Sequence, residues 1–219
     1  MINPYRFLSE GNFTFSTTSV ISNWSPTTVV NGGSTLTWDI TGDITPTSQN
    51  VNDPTFDLTA NTGTVNMNVY DISLVTFLDF RNLDFTLLNS SNLVSLQSLN
   101  VINSFLTDLD LTNNTLLQQL FLTNNSLTTL SLTTQTFLII LDCEDNNLAT
   151  LDISSTNIKI LRCEGNSFSS TVTNKILTDL VAIGQNNGTL SYRNNETGQG
   201  VTDRATLISR GWTITNYAT

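Results

Sequence analysis

Leu141-Asp142-Cys143-Glu144-Asp145-Asn146-Asn147-Leu148, followed by Leu151-Asp152-Ile153-Ser154, is one copy of a pattern that recurs through the middle of this chain. Leu78, Leu99, Leu120 and Leu141 stand 21 residues apart, and Leu161 follows after 20. Two residues on sit Phe80, Val101, Leu122, Cys143 and Cys163. Three further come Leu83, Ser104, Asn125, Asn146 and Asn166, then Phe85, Leu106, Leu127, Leu148 and Phe168. A second set closes each period: Leu88, Leu109, Leu130 and Leu151, then Ser90, Leu111, Leu132 and Ile153.

The spacing has a physical reading. In L-x-L both leucines leave a strand on the same side, because side chains alternate between its faces. The Asn three residues later suits a turn, where its amide can satisfy backbone groups opened by the bend. Stacked in successive periods, that Asn is expected to form a hydrogen-bonded ladder. A single period cannot bury its leucines, so the core exists only where neighbours stack. The one-residue contraction falls between Leu151 and Leu161.

These residues resemble the compact 21-residue leucine-rich repeats of Bacteroidetes surface proteins and of phages that infect those bacteria, over about two thirds of the chain from Leu74 onward. The resemblance implies a leucine-rich-repeat solenoid, β-rich, with a parallel strand ladder and short helices near the C-terminus. The first period is degenerate, with Leu83 at the Asn position. We divide the chain into an extended N-terminal arm (1–20), a β unit or N-terminal cap (21–72), the repeats (73–170) and C-terminal strand–helix capping repeats (171–219).

The two ends differ in texture from the middle. Leu36, Trp38 and Ile40 alternate with polar residues, as do Phe56 and Leu58, and Val65, Met67 and Val69. Turn signals at Gly32-Gly33, Thr41-Gly42-Asp43 and Asn61-Thr62-Gly63 separate them, which reads as a small β domain or a cap on the first repeat. Toward the C-terminus, 174–185 carries Ile176, Leu177, Leu180, Val181 and Ile183 at helical spacing, with Gly184 as a stop. Gly188 to Tyr192 reads as a strand, Thr202 as the cap of a helix through Ser209 ended by Gly211, and Trp212-Thr213-Ile214 as a last strand.

Composition narrows the function. Charged residues are only 12% of the chain, so the surface is polar but largely uncharged. Net charge is −10, with no Lys or Arg between Arg6 and Arg81 or between Arg81 and Lys159. No basic patch can form there, which argues against nucleic acid and against docking on anionic lipid. No apolar run is long enough to cross a bilayer. Met1 to Leu8 lacks a signal peptide, so either no general secretion signal is used or it has been removed; the intact Met1 favours the first.

The 219 residues include no histidine, which removes the commonest general base and the usual zinc ligand. No phosphate loop or dinucleotide fingerprint is present. Cys143 and Cys163 occupy one position in adjacent periods and read as free, small apolar core residues rather than a bridge or a metal site. Asp142, Glu144, Arg162 and Glu164 flank them on the outward side, beside Asp145, and could hold a cation or polar ligand or form a solvated face. Asn100, Ile102, Phe121 and Thr123 extend that face, with Phe121 either open to a ligand or covered. No catalytic, cofactor or metal residues are assigned.

The expected function is therefore non-enzymatic: a phage virion component (fibre, decoration or tail-associated adhesion subunit) presenting a repeat face within a larger assembly. Its partners would be other virion or surface proteins and a host-surface glycan or protein, with no nucleic acid and no membrane insertion. Pro4, Tyr5, Arg6 and Phe7 would form an assembly arm. The alternative is a secreted or cell-surface bacterial adhesin; a carboxylate-only glycan-degrading enzyme is a third reading.

Overall fold

A computed structural model describes residues 12–17, 27–30, 37–42, 47–50, 65–70, 75–193 and 195–217. Each period between 75 and 162 contributes one short strand: β6 (Val75–Asp79), β8 (Ser98–Asn100), β9 (Gln119–Phe121), β10 (Ile140–Asp142) and β11 (Ile160–Arg162), with β7 (Phe85–Asn89) set apart on the return of the first period. β12 (Thr189–Arg193) and β13 (Thr213–Tyr217) continue the series. These seven strands form one parallel sheet in the order β6-β8-β9-β10-β11-β12-β13. Its register follows the sequence period: Leu78, Leu99, Leu120, Leu141, Leu161 and Leu190 are successive partners.

The alternation in L-x-L decides which way the strands face. Leu99, Leu120, Leu141 and Leu161 are fully buried, as are Val101, Leu122 and Cys143 two residues on. The leucines of the return segments meet them from the opposite side, with Leu109, Leu111, Leu130, Leu132, Leu151 and Ile153 in the same core. Each such leucine contributes roughly 1.5–3 kcal/mol by leaving water, and the core they share runs from Val75 to Trp212.

The recurrent turn amides form the expected hydrogen-bonded ladder through backbone groups. Asn146 Nδ2 donates to Leu122 O (2.9 Å) of the preceding period and to Cys143 O of its own, while its Oδ1 accepts from Leu127 N at 3.1 Å. Asn125 repeats this with Val101, Leu122 and Leu106, and Asn166 with Cys143 and Leu148. Each amide thus staples two periods through their backbones. A true amide-to-amide column exists one residue earlier, on the outside of the turn: Asn103 donates to Asn82 (2.6 Å) and Asn124 to Asn103 (2.9 Å). Its members all have positive φ, and the column continues through Asp145 (φ 51) and Gly165 (φ 64). Asn and Asp tolerate that backbone by hydrogen-bonding locally. At Gly165 even a Cβ would lie 2.0 Å from Asp145 Oδ1 and 2.9 Å from Asp145 N, so only glycine fits.

The contraction lies between Thr156 and Ile158. Asn114 and Leu117, and Gln135 and Leu138, are three residues apart; Thr156 and Ile158 are two, and all six side chains are buried. The loss is absorbed in this turn, and the β10–β11 register is unbroken.

Helices replace extended return segments at the C-terminal end. α1 (Ser170–Ile183) buries Thr173, Ile176, Leu177 and Leu180, and Gly184 ends it in the left-handed region at φ 82. It starts four residues before the expected helix, because the Ser169 side chain accepts from Val172 N and supplies an N-cap. α2 (Gln199–Ser209) likewise starts before Thr202, at an N-cap Gly198 that makes no side-chain bond, and Gly211 follows its end at φ 82.

At the other end the backbone pairs with the first period twice. β2 (Thr27–Val30) is antiparallel to β6, extending the large sheet to eight strands. β1 (Asn12–Thr17) is antiparallel to β7 and to β5 (Val65–Tyr70), and β3 (Thr37–Gly42) joins β5 to β4 (Thr47–Asn50). The five-stranded order is β4-β3-β5-β1-β7. Residues 12–17, expected within an extended arm, are therefore an inner strand of this sheet; the alternation Phe13-Thr14-Phe15 is the signal that a boundary at residue 20 passed over. The expected strand at Phe56 and Leu58, and Pro4, Tyr5, Arg6 and Phe7, lie outside the described residues.

Candidate functional site

The outward side chains of the parallel sheet stand in columns set by its register. One column runs Asp79, Asn100, Phe121, Asp142, Arg162 and Ser191, each paired with the next across the strands. The next runs Ile102, Thr123, Glu144 and Glu164, aligned by the bonds Asn82 N to Ile102 O, Asn103 N to Thr123 O, Asn124 N to Glu144 O and Asp145 N to Glu164 O. All eight residues singled out from sequence as a binding face therefore share one patch, two columns wide and four strands long. All eight side chains are partly exposed.

The patch has two halves. Around Phe121 and Ile102 it is apolar, and Asn100 Oδ1 beside them is buried with no hydrogen-bond partner among the described residues. The other half is charged and internally tied. Asp142 accepts from the Thr123 hydroxyl and lies 3.4 Å from Arg162 Nη1, a pair whose exposure limits it to about 1 kcal/mol or less. Glu164 accepts from Ser191 Oγ at 2.8 Å. Glu144 stands between these carboxylates. Its partial burial, and then the charges of Asp142 and Glu164, hold its carboxyl above the ordinary range.

Ser191 was missed as a member of the patch because residues after 170 read as capping segments. The signal was present: Leu190-Ser191-Tyr192 repeats the L-x-L strand, although Ser191 is buried like its two neighbours and joins the patch through its bond to Glu164.

Behind the patch the thiols of Cys143 and Cys163 are free and fully buried. Burial pushes both well above the usual thiol range, so they are protonated and pack as apolar groups. Among the described residues no three His, Cys, Asp or Glu side chains converge to hold a metal ion. No described helix is long and apolar enough to cross a membrane. A groove of about 750 Å³ is present, but it is lined by residues of the return segments and α1 and by none of the patch residues. The carboxylates of the patch thus lie outside it. What the patch offers is an apolar platform, a cation, carboxylates and hydroxyls along one rigid ladder, a set suited to holding a ligand.

Neither a family model nor a curated protein matches the chain. Among solved structures it is similar to the functional domain of InlJ from Listeria monocytogenes, whose description includes a cysteine ladder, with a TM-score of 0.46 and 21% identity. The match covers 73% of this chain and 36% of that one, so the chain spans about a third of the structure it matches. With a likeness of that degree, the fold rests on the chain's own strand register and the function on its own surface.

Proposed function

We propose that the chain is a non-catalytic recognition protein, a leucine-rich-repeat solenoid whose parallel sheet presents its outward columns to a partner. The observation that carries this is the patch itself: Phe121 and Ile102 adjoin Asp142, Glu144, Arg162 and Glu164 on strands fixed by a continuous core. Side chains on such a face can change without disturbing that core, which is what a recognition surface requires. The double pairing of β2 with β6 and β1 with β7 supports reading the N-terminal β unit as the cap of the first repeat.

The resemblance to repeats of Bacteroidetes and their phages supports a place on a phage particle, as a fibre, decoration or tail-associated subunit. A bacterial surface adhesin is the alternative, and the same patch serves either. Immunogold labelling of purified virions and of host cells, with antibody against the repeat, tests the placement. Gold on particles is the expected result; gold confined to cell envelopes would replace the virion with the adhesin.

A further inference from the structure

Across the core from the sheet, the return segments carry a second surface with its own chemistry. The groove of about 750 Å³ crosses three periods and ends against α1. Its floor is apolar, made by Leu109, Leu130 and Leu151 with Val172 of α1 as a side wall. Its rim is built from hydroxyls and carboxylates, and the lining includes no aromatic side chain. A sugar ring would therefore have no face to stack on.

Charge is divided along its length. At the α1 end Lys175 already holds Asp179 (2.6 Å) and Asp152 (3.3 Å). At the opposite end Asp108 and Asp110 form no ion pair among the described residues. Asp110 accepts from the backbone and hydroxyl of Thr112 and so stays fixed and ionised, while Asp108 is exposed beside it. Leu87, one period before Asp108, is exposed. The span from the Asp108 period to the Thr150 period is two strand spacings, about 10 Å, the length of roughly three extended residues.

We propose that this groove docks a short extended stretch of a protein partner, a basic side chain at Asp108 and Asp110 and, two residues on and so on the same face, an apolar side chain over Leu130 and Leu151. The hydroxyls of Thr129, Ser131 and Thr150 then face the partner's backbone amides. This surface is separate from the sheet patch and stands whether or not that patch recognises a ligand.

The test uses the full chain and three probes: a capped tripeptide of lysine, threonine and leucine, the same peptide with glutamate for lysine, and maltohexaose. Amide chemical shifts are followed on titration. The lysine peptide is expected to move resonances of 108–110, 129–133, 150–152 and 172–175, leaving 100–102 and 142–144 still. Asp108→Asn, at an exposed residue with no ion pair, should weaken that peptide about two- to five-fold, the range of an exposed charge pair. The glutamate peptide should bind more weakly than the lysine peptide to the unmutated chain. Any of three results would overturn the proposal: no shifts in the groove at millimolar peptide, equal binding of the two peptides, or groove shifts with maltohexaose instead.

Discussion

The periods from Ser98 to Asn166 and the segment from Ser170 to Tyr217 extend the same parallel sheet by different means. In the first, three-residue strands alternate with extended returns, and the turn amides of Asn125, Asn146 and Asn166 each bind the backbone of the period before. In the second, strands are five residues long and helices make the return. Helices satisfy their own interior backbone groups, and α1 adds a buried apolar face of Ile176, Leu177 and Leu180. Side-chain ties cross this segment too: Thr173 donates to Asn195 Oδ1, Asn195 Nδ2 to Phe168 O, Arg210 to Val181 O and Trp212 Nε1 to Gln185 O. In the repeats one amide makes several of these bonds at a time; at the helical end several side chains share them.

The largest expected effect is at the staple. Asn146→Ala strands Leu127 N in the interior and removes one of two bonds at each of Leu122 O and Cys143 O, and should cost about 2–4 kcal/mol in denaturant unfolding. Thr173→Val, which removes one bond at the helical end, should cost about 1 kcal/mol. Equal losses would erase the distinction between the two regions.

Glycines sharpen it. Gly165→Ala must hold a positive φ and also press on Asp145 backbone, so about 2–3 kcal/mol is expected. Gly184→Ala carries the same backbone penalty, but the nearest atom to its Cβ is Ala182 O at 3.8 Å, and about 1 kcal/mol is expected. Thermal unfolding of the pair measures the crowding of the repeat turn directly.

Smaller changes belong to the surface. Asn103→Ala breaks two exposed amide bonds and leaves Ala at φ 55, for a loss of about 1 kcal/mol. Glu144→Gln should be mildly stabilising, with a sign set by linkage. The folded chain holds the Glu144 proton more tightly than the unfolded chain, so stability falls as pH rises from the ordinary carboxyl value through the raised one. The substitution should therefore raise Tm at pH 7 by about 1 °C and do nothing at pH 3, below both values. A gain at pH 3 as large as at pH 7 would assign the effect to something other than charge.

The parts of this molecule legible in sequence were those governed by short-range alternation. L-x-L placed the strands β8 to β11 and their inward side chains because period two is a local property of the backbone. The sheet patch followed from it, since residues between buried partners must face out. The outer column Asn82, Asn103 and Asn124 was not legible: its role depends on positive φ, which adjacent asparagines in Asn124-Asn125 do not distinguish. The pairing of β1 with β7 joins residues about seventy apart, beyond any local pattern. The groove likewise depends on α1 standing beside extended returns, a contact between elements rather than a motif.

The central claim is that the sheet's outward columns recognise a partner, and retention on virions and host cells tests it most directly. Labelled full-length chain, and the same chain carrying Phe121→Ser and Arg162→Glu, would be incubated with each after circular dichroism has shown equal folding. The account predicts retention of the unmutated chain, at least ten-fold reduced in the double variant. Equal retention of both would contradict it and remove the patch as the recognition surface.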